Sequence, residues 1–230
     1  MQETALRIFR GLASSYERAL DIATLRQDRY WKRWVIERAE IVPGDWVLDV
    51  GCGTCLLEET LDRLHCKVVG LDLTEQMVRI GQSKCIGCVE GLIVGDAEFL
   101  PFGDCSFDVV VSCYVPKYVR SARLAQQVAR VLRPGGRVVL YDFVRPRGPL
   151  APFLRVYIHG ALRVWGFLLG LIGNEAGLTF RILPRIIEEA RWSEAIEEAF
   201  GREGIQSLAC TRLSGGVVCA FSGKKRGGIS

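Results

Sequence analysis

The stretch Val47 to Cys55, VLDVGCGTC, sets an acid, Asp49, two residues before Gly51, and Gly53 two residues after that, all behind a run of apolar strand formers. Glycines at this spacing let a ligand approach the backbone where a Cβ would collide. A parallel strand that feeds a helix through such a turn also presents backbone N–H groups, and the positive end of the helix dipole, at the carboxyl edge of its sheet. The chemistry this suits is the seating of a nucleotide or carboxylate, with Asp49 able to accept from a ligand amine. Nineteen residues beyond Gly53, at the end of the next apolar run, Asp72 stands where a carboxylate takes both hydroxyls of a ribose.

Two cofactors use such a turn. A nicotinamide fingerprint, G-x-G-x-x-G, needs its third glycine where this chain has Leu56, so the dinucleotide reading weakens. The acid-led pattern D-x-G-x-G-x-G of S-adenosylmethionine enzymes is met at Asp49, Gly51 and Gly53 with Cys52 between the glycines, and is broken at its fourth position by Cys55. Cysteines raise a second chemistry. Cys52-x-x-Cys55 and Cys85-x-x-Cys88 have the outline of a four-thiolate zinc site. A metal in the cofactor turn would compete with the ligand, however, so no metal is expected and a Cys85–Cys88 or longer disulfide is the stronger alternative. Nine cysteines, an odd number spread through apolar and glycine contexts, favour reduced or buried thiols over a secreted disulfide frame.

Periodicity supplies the elements that must hold these residues. Helical segments are expected over Glu3–Leu20 and Gln27–Glu40, before Pro43-Gly44 breaks the pattern. An alternation follows: strand Trp46–Val50, helix Cys55–Leu64, strand Lys67–Leu71, helix Glu75–Ser83, strands Gly91–Val94 and Phe107–Cys113, helix Ala122–Leu132 and strand Arg137–Phe143. Continuously apolar strands separated by amphipathic helices imply a parallel sheet covered on both faces. After Pro146 the alternation stops in a strongly apolar helical insertion. Helix Arg191–Phe200 then leads to strands Gln206–Leu213 and Gly216–Phe221, whose short SGG connection makes the last pair antiparallel.

At 230 residues, with 49% hydrophobic content and a net charge of +4, the chain suits one α/β domain and is neither disordered nor a polycation built for nucleic acid. Residues 1–42 read as a helical cap and 147–190 as the insertion, forming a lid or acceptor site. The first twenty residues are charged every few positions and lack the apolar core of a signal peptide, so a cytoplasmic location is expected. The most apolar stretch, Val164 to Gly173, is about half the roughly 20 residues a bilayer crossing requires; it suits contact with a membrane surface.

The segments VVGLDLTEQMV, GDAEFLPFGDCSFDVVV and VLRPGGRVVLYDF, in this order and spacing, resemble class I S-adenosylmethionine-dependent methyltransferases. FRGLASSYERA, RYWKRWVI, ARVLRPGGR, YIHGALRVWGFLLGLIG and LSGGVVCAFSG extend the resemblance, over nearly the full length, to the ubiquinone and menaquinone biosynthesis C-methyltransferases. It implies a Rossmann-like, seven-stranded, mostly parallel sheet with its last strand reversed and helices on both faces. It also implies cofactor contacts at Thr54, Asp72, Leu73, Asp96, Ala97 and Cys113, with Leu73 on the adenine face, Asp96-Ala97 at its edge, and Cys113 in place of a usual serine. Pro134-Gly135-Gly136 would make the tight turn into the fifth strand. Where relatives show an Arg-Asn pair this chain has Lys117-Tyr118, and a lysine does not reproduce the planar two-pronged grip of arginine.

The acceptor this implies is a prenylated quinol, or another small lipid-like or sterol-like molecule. Methylating carbon requires a ring hydroxyl to lose its proton, and the residues with suitable chemistry are His159, Tyr114, Tyr157, Asp142 and Lys117. His159 competes with a packing role, and Lys117 with stabilising a phenolate by charge. Phe153, Leu154, Val156, Tyr157, Ile158, Leu162, Trp165, Phe167, Leu168 and Leu169 of the insertion are expected to face the pocket or lie on lipid, with Arg155 and Arg163 favouring anionic head groups; a core or dimer helix is the alternative. His65 reads as a surface cap. A partner-binding scaffold without turnover is the non-enzymatic rival, opposed by the presence of Asp49, Gly51, Gly53 and Asp72.

Overall fold

The computed structural model describes residues 2–171, 176–189 and 191–227; position 1, positions 172–175, 190 and 228–230, with the end of the Val164–Gly173 stretch among them, lie outside the described residues. Strands β1 (Trp46–Val50), β2 (Lys67–Asp72), β3 (Gly91–Val94), β4 (Phe107–Cys113), β5 (Leu132–Phe143), β6 (Ile205–Leu213) and β7 (Val218–Lys225) form one sheet in the order β3-β2-β1-β4-β5-β7-β6. Pairing is parallel from β3 to β5, while β7 runs antiparallel to both β5 and β6. The expected sheet and its reversed last strand are both present.

Alternate residues of the central strands enter two cores. On one face Val47, Val109, Val111, Val139 and Tyr141 pack with Trp31 and Val35 of α3 (Asp28–Ala39) and with the insertion. On the other, Leu48, Val50, Val110, Val138 and Leu140 meet α6 (Ser121–Val131) and α10 (Trp192–Arg202). Sheet faces buried on both sides explain why these strands are apolar at every position. Asp49 shares the face of Val47, which turns its carboxyl toward α3.

The expected first helix is divided into α1 (Gln2–Leu12), a 3₁₀ turn Ala13–Ser15 and α2 (Tyr16–Thr24). Ser15 Oγ donates to the Leu12 carbonyl at 3.5 Å, the local competition by which serine interrupts helices. The helix expected from Cys55 starts later, as α4 (Glu58–Leu61) extended by a 3₁₀ turn to Leu64, because Cys55 sits at φ +62° and cannot begin a right-handed turn. His65 ends that turn at φ +54° on the surface, as expected. Helix α5 (Glu75–Lys84) follows β2.

Strand β5 begins five residues earlier than expected and absorbs Pro134-Gly135-Gly136. A Cβ at Gly136 would stand 3.0 Å from the Asp108 carbonyl, so glycine lets β5 lie alongside β4 where their register shifts. The insertion folds as α7 (Ala151–Val156), a π-type turn Tyr157–Ala161, α8 (Leu162–Leu171) and α9 (Ala176–Glu189).

Candidate active site

A crevice of about 670 Å³ opens where the carboxyl ends of β1, β2 and β4 meet the N-terminal cap. Its floor is the turn after β1. The Gly51 and Cys52 N–H groups both donate to the Leu71 carbonyl, at 2.6 and 3.1 Å, and this folds the turn over β2. Gly51 takes φ +85°, and a Cβ there would lie 2.1 Å from Val115 Cγ2, so the chain needs glycine twice over. Asp72 then organises the mouth: its Oδ2 accepts from the Gly53 N–H at 3.0 Å and its Oδ1 from the Thr74 N–H at 2.8 Å. Burial raises the Asp72 carboxyl above its usual range, and these two N–H bonds oppose the rise. With α4 only one turn long and begun at Glu58, backbone donors and Asp72 define this seat; the expected helix dipole does not.

The sequence-derived cofactor residues gather around this space. Gly51, Gly53, Asp72, Leu73, Asp96, Ala97 and Cys113 line the crevice. Asp49, Cys52 and Thr54 line a side pocket of about 290 Å³ that shares Tyr16, Gly51, Cys113 and Tyr114 with it, and that also receives Lys32. Thr54 is anchored away from the crevice, its hydroxyl donating to Glu17 Oε1 at 2.9 Å. Burial would raise Glu17, but Lys84 and Thr54 bond to it and hold it below its ordinary value. Asp49 is buried beside Glu58; burial first, then the neighbouring carboxylate, pushes Asp49 well above the usual range, and burial lifts Glu58 to about 7. The residues fit an adenosyl sulfonium: glycines where backbone must be approached, an acid placed for ribose, and Asp96-Ala97 at the far end.

Tyr114 is the hinge of the site. It directly follows β4 at φ +66°, a conformation a tyrosine adopts only when its surroundings impose it. Its N–H donates to the Tyr141 carbonyl at 2.9 Å, its carbonyl accepts from Lys117 Nζ at 2.8 Å, and its hydroxyl donates to Asp28 Oδ1 at 2.6 Å. Lys117 Nζ also donates to Asp142 Oδ1 at 2.7 Å, while the Lys117 N–H donates to Oδ2 at 2.9 Å. Both side chains of this ion pair are buried, and the ammonium lies 4.3 Å from the centre of the Tyr118 ring. Tyr118 thus supplies an aromatic face to the cation where the family pattern would have an amide. Burial lowers the Lys117 ammonium and raises the Asp142 carboxyl, and each partner opposes the other's shift.

Beyond Tyr114 the crevice adjoins an apolar pocket of about 500 Å³. Phe9, Tyr16, Tyr114 and Tyr118 belong to both, and Leu12, Leu20, Lys117, Phe143 and Phe180 complete it. A further apolar cavity of about 830 Å³ shares Ala23, Phe143 and Leu183 with that pocket. Phe153, Leu154, Tyr157, Ile158 and Leu162 line it as expected, whereas Val156, Trp165 and Phe167 are exposed on the outer face; the side chains of Leu168 and Leu169 fall outside the described residues. Tyr157 donates weakly to the Ile22 carbonyl at 3.4 Å. Asp142 lines none of these spaces and meets the apolar pocket only through Lys117. His159 stands apart from the crevice and both apolar pockets, its Nε2 3.1 Å from Glu188 Oε1, which matches its packing role and not that of a base.

Sequence reasoning missed Asp28, Lys32 and Tyr16 as site residues, and read Tyr118 only as a departure from the family's pair. Asp28 and Lys32 sit one helical turn apart on α3, and that i, i+4 charge pair next to Trp31 in the sequence was the available signal.

The description of the ubiE/COQ5 methyltransferase family matches residues 2–225. A demethylmenaquinone methyltransferase of Tropheryma whipplei is 33% identical over 92% of this chain and 87% of its own. A ubiquinone/menaquinone biosynthesis C-methyltransferase of Burkholderia mallei is 30% identical over 95% of this chain and 90% of its own. Among solved structures, a SAM-dependent methyltransferase from Aquifex aeolicus superposes with a TM-score of 0.56 at 16% identity, covering 84% of this chain and 88% of that one, which shows the shared fold.

Proposed function

Because the chain belongs to the ubiE/COQ5 methyltransferase family, we propose that it methylates a ring carbon of a prenylated quinol of the demethylmenaquinol kind. It is an S-adenosylmethionine-dependent methyltransferase. The observation that supports the acceptor reading is that Phe9, Tyr16, Tyr114 and Tyr118 line both the crevice fit for the cofactor and the adjoining apolar pocket, which in turn shares Ala23, Phe143 and Leu183 with a further apolar cavity fit for a tail.

When bound, the sulfonium supplies a methyl group that is already activated. What remains for the chain is to exclude water, hold the acceptor in line and accept a proton from its ring hydroxyl. Aromatic walls do the first. Tyr114, fixed through its amide, carbonyl and hydroxyl, does the second, because it forms the wall common to crevice and apolar pocket. For the third, Lys117 lines the apolar pocket, burial lowers its ammonium, and Asp142 lies 2.7 Å away; passing the ammonium proton to Asp142 would leave a neutral amine to take the proton of the ring hydroxyl. A positive charge there also stabilises a phenolate and so makes the adjacent carbon nucleophilic.

Incubation with labelled cofactor and a reduced demethylnaphthoquinol with a short prenyl tail tests the reading, with the product mapped by mass spectrometry. Label on a ring carbon is expected, with a KM that rises as the tail is removed. Label on oxygen, or turnover only of another lipid-like acceptor, overturns it.

Peripheral membrane contact is the part of the reading that concerns location. No helix among the described residues is long and apolar enough to cross a membrane. Yet Phe153, Val156, Val164, Trp165 and Phe167 are exposed around α7 and α8, next to the cavity meant for the tail, with Arg163 exposed among them. Sedimentation with phosphatidylglycerol vesicles is expected and should be lost in Trp165→Glu/Phe167→Glu. Retention by that variant, or its conversion from dimer to monomer, points instead to another use of the face.

A further inference from the structure

We propose that Cys52, Cys55 and Glu58 form a buried binding site for one zinc-like divalent ion beneath the cofactor turn. Their two sulfurs and a carboxylate oxygen all lie within 4.8 Å of one another, and among the described residues they are the one group of such side chains that converges in this way. Each is buried, Cys55 and Glu58 completely.

The fold makes room for the sulfurs on purpose-shaped ground. The left-handed conformation of Cys55 carries its thiol inward over Gly81, where a Cβ would lie 2.5 Å from Sγ. Cys52 Sγ is 2.9 Å from the place of a Gly70 Cβ. Two glycines, on β2 and α5, therefore leave the space that two thiols fill.

Glu58 is the independent observation. Its carboxylate oxygens, like Asp49 Oδ1, make no hydrogen bond of good geometry; the Leu57 and Glu58 N–H groups and Asp49 are near enough only to temper the rise that burial causes. A single proton held between Asp49 and Glu58 would satisfy two of these three oxygens and leave a Glu58 oxygen bare beside the sulfurs. Buried polar atoms are seldom left so, and beside two converging sulfurs an ion is the partner that this donor set suits. Two thiolates with one carboxylate supply three corners of a tetrahedral zinc site, with the fourth left to a further ligand, and disfavour magnesium or calcium. Cys85 lies close by, its Sγ donating to the Cys55 carbonyl at 3.8 Å.

Competition with the ligand argued against a metal from sequence alone. In the fold, neither sulfur and no Glu58 atom lines the main crevice, and Cys52 reaches only the side pocket, so that objection loses its geometric basis. Binding would form two metal–sulfur bonds and one metal–oxygen bond; the two thiol protons leave to solvent, and nothing is oxidised or reduced. The ion would clip the cofactor turn to the start of α4, whatever acceptor the enzyme uses.

Cobalt titration of the chelator-treated full chain under reducing conditions tests this. One equivalent should give thiolate-to-cobalt charge transfer and the visible bands of a tetrahedral ion, both displaced by zinc. Cys52→Ser, Cys55→Ser and Glu58→Gln should each weaken cobalt binding by at least about tenfold, while Cys105→Ser, an exposed and remote thiol, should leave it unchanged. Circular dichroism of each variant establishes that it is folded. Absence of the charge-transfer band, a band undiminished in Glu58→Gln, or a Cys52–Cys55 disulfide in the freshly purified protein overturns the proposal.

Discussion

Tyr114 and Asp28, 86 positions apart, meet in a buried 2.6 Å hydrogen bond with the phenol as donor. Tyr141 donates to the same oxygen at 2.9 Å, and Lys32 to the other carboxylate oxygen at 2.5 Å. The cap is thereby tied to the sheet at the wall that separates the two ligand spaces. Tyr114→Phe preserves the ring but withdraws one donor from a buried carboxylate, a loss of about 1–3 kcal/mol in stability, toward the low end because Tyr141 remains. Turnover should fall by a larger factor than cofactor affinity. Urea denaturation and calorimetric titration on one preparation check both; affinity falling as far as turnover would contradict the wall's assigned role.

Gly51→Ala should abolish cofactor binding for two separable reasons. The added methyl collides with Val115, and φ +85° strains any L-residue. Pairing the change with Val115→Ala relieves the collision alone and should leave about 1–2 kcal/mol of backbone strain. Full recovery of binding in the double variant would show that the conformation carries no such penalty.

The Lys117–Asp142 pair makes a distinctive prediction because both partners are buried. Lys117→Met leaves a carboxylate inside the protein without its cation and should lower stability by about 3–5 kcal/mol. Lys117→Met/Asp142→Leu removes the stranded charge, so the double variant should be more stable than the sum of the single losses. A double-mutant cycle in urea gives the coupling, and strict additivity would mean that the pair does not act as a unit.

Asp72 sets a pH dependence. Burial raises its carboxyl in the ligand-free fold. Its contribution to stability is therefore largest below the unfolded value and declines as pH rises through the raised folded one. Ribose hydroxyls favour the charged form, so cofactor affinity should climb through that same window and level off above it. Asp72→Asn should bind weakly with a flat profile; titrations from about pH 3 to 8, beginning below the usual carboxylate values, distinguish the two.

Much of this architecture was legible because the signals were local. Strands β1 and β4 have the expected bounds, since apolar runs end at glycine or polar turn residues, and the glycine pair with Asp72 marked the seat for an adenosyl ligand. Contacts made across the chain were not legible. Asp28 acquires its importance from Tyr114, just after β4, and Tyr141 on β5, and Glu58 from sulfurs that a left-handed residue turns inward; neither leaves a trace in periodicity. His159 looked suited to a base only because its partner, Glu188, comes from a separate helix. The insertion divided as it did because one face of α7 and the π-type turn meets the cap while part of α8 meets water.

The indole N–H of Trp31 donates to Ser214 Oγ at 2.8 Å, fastening the roof of the site to the connection between the final two strands. Ser214 follows Trp31 by 183 positions, so during synthesis the roof gains its seat on Tyr114 and Tyr141 before this last fastening has left the ribosome.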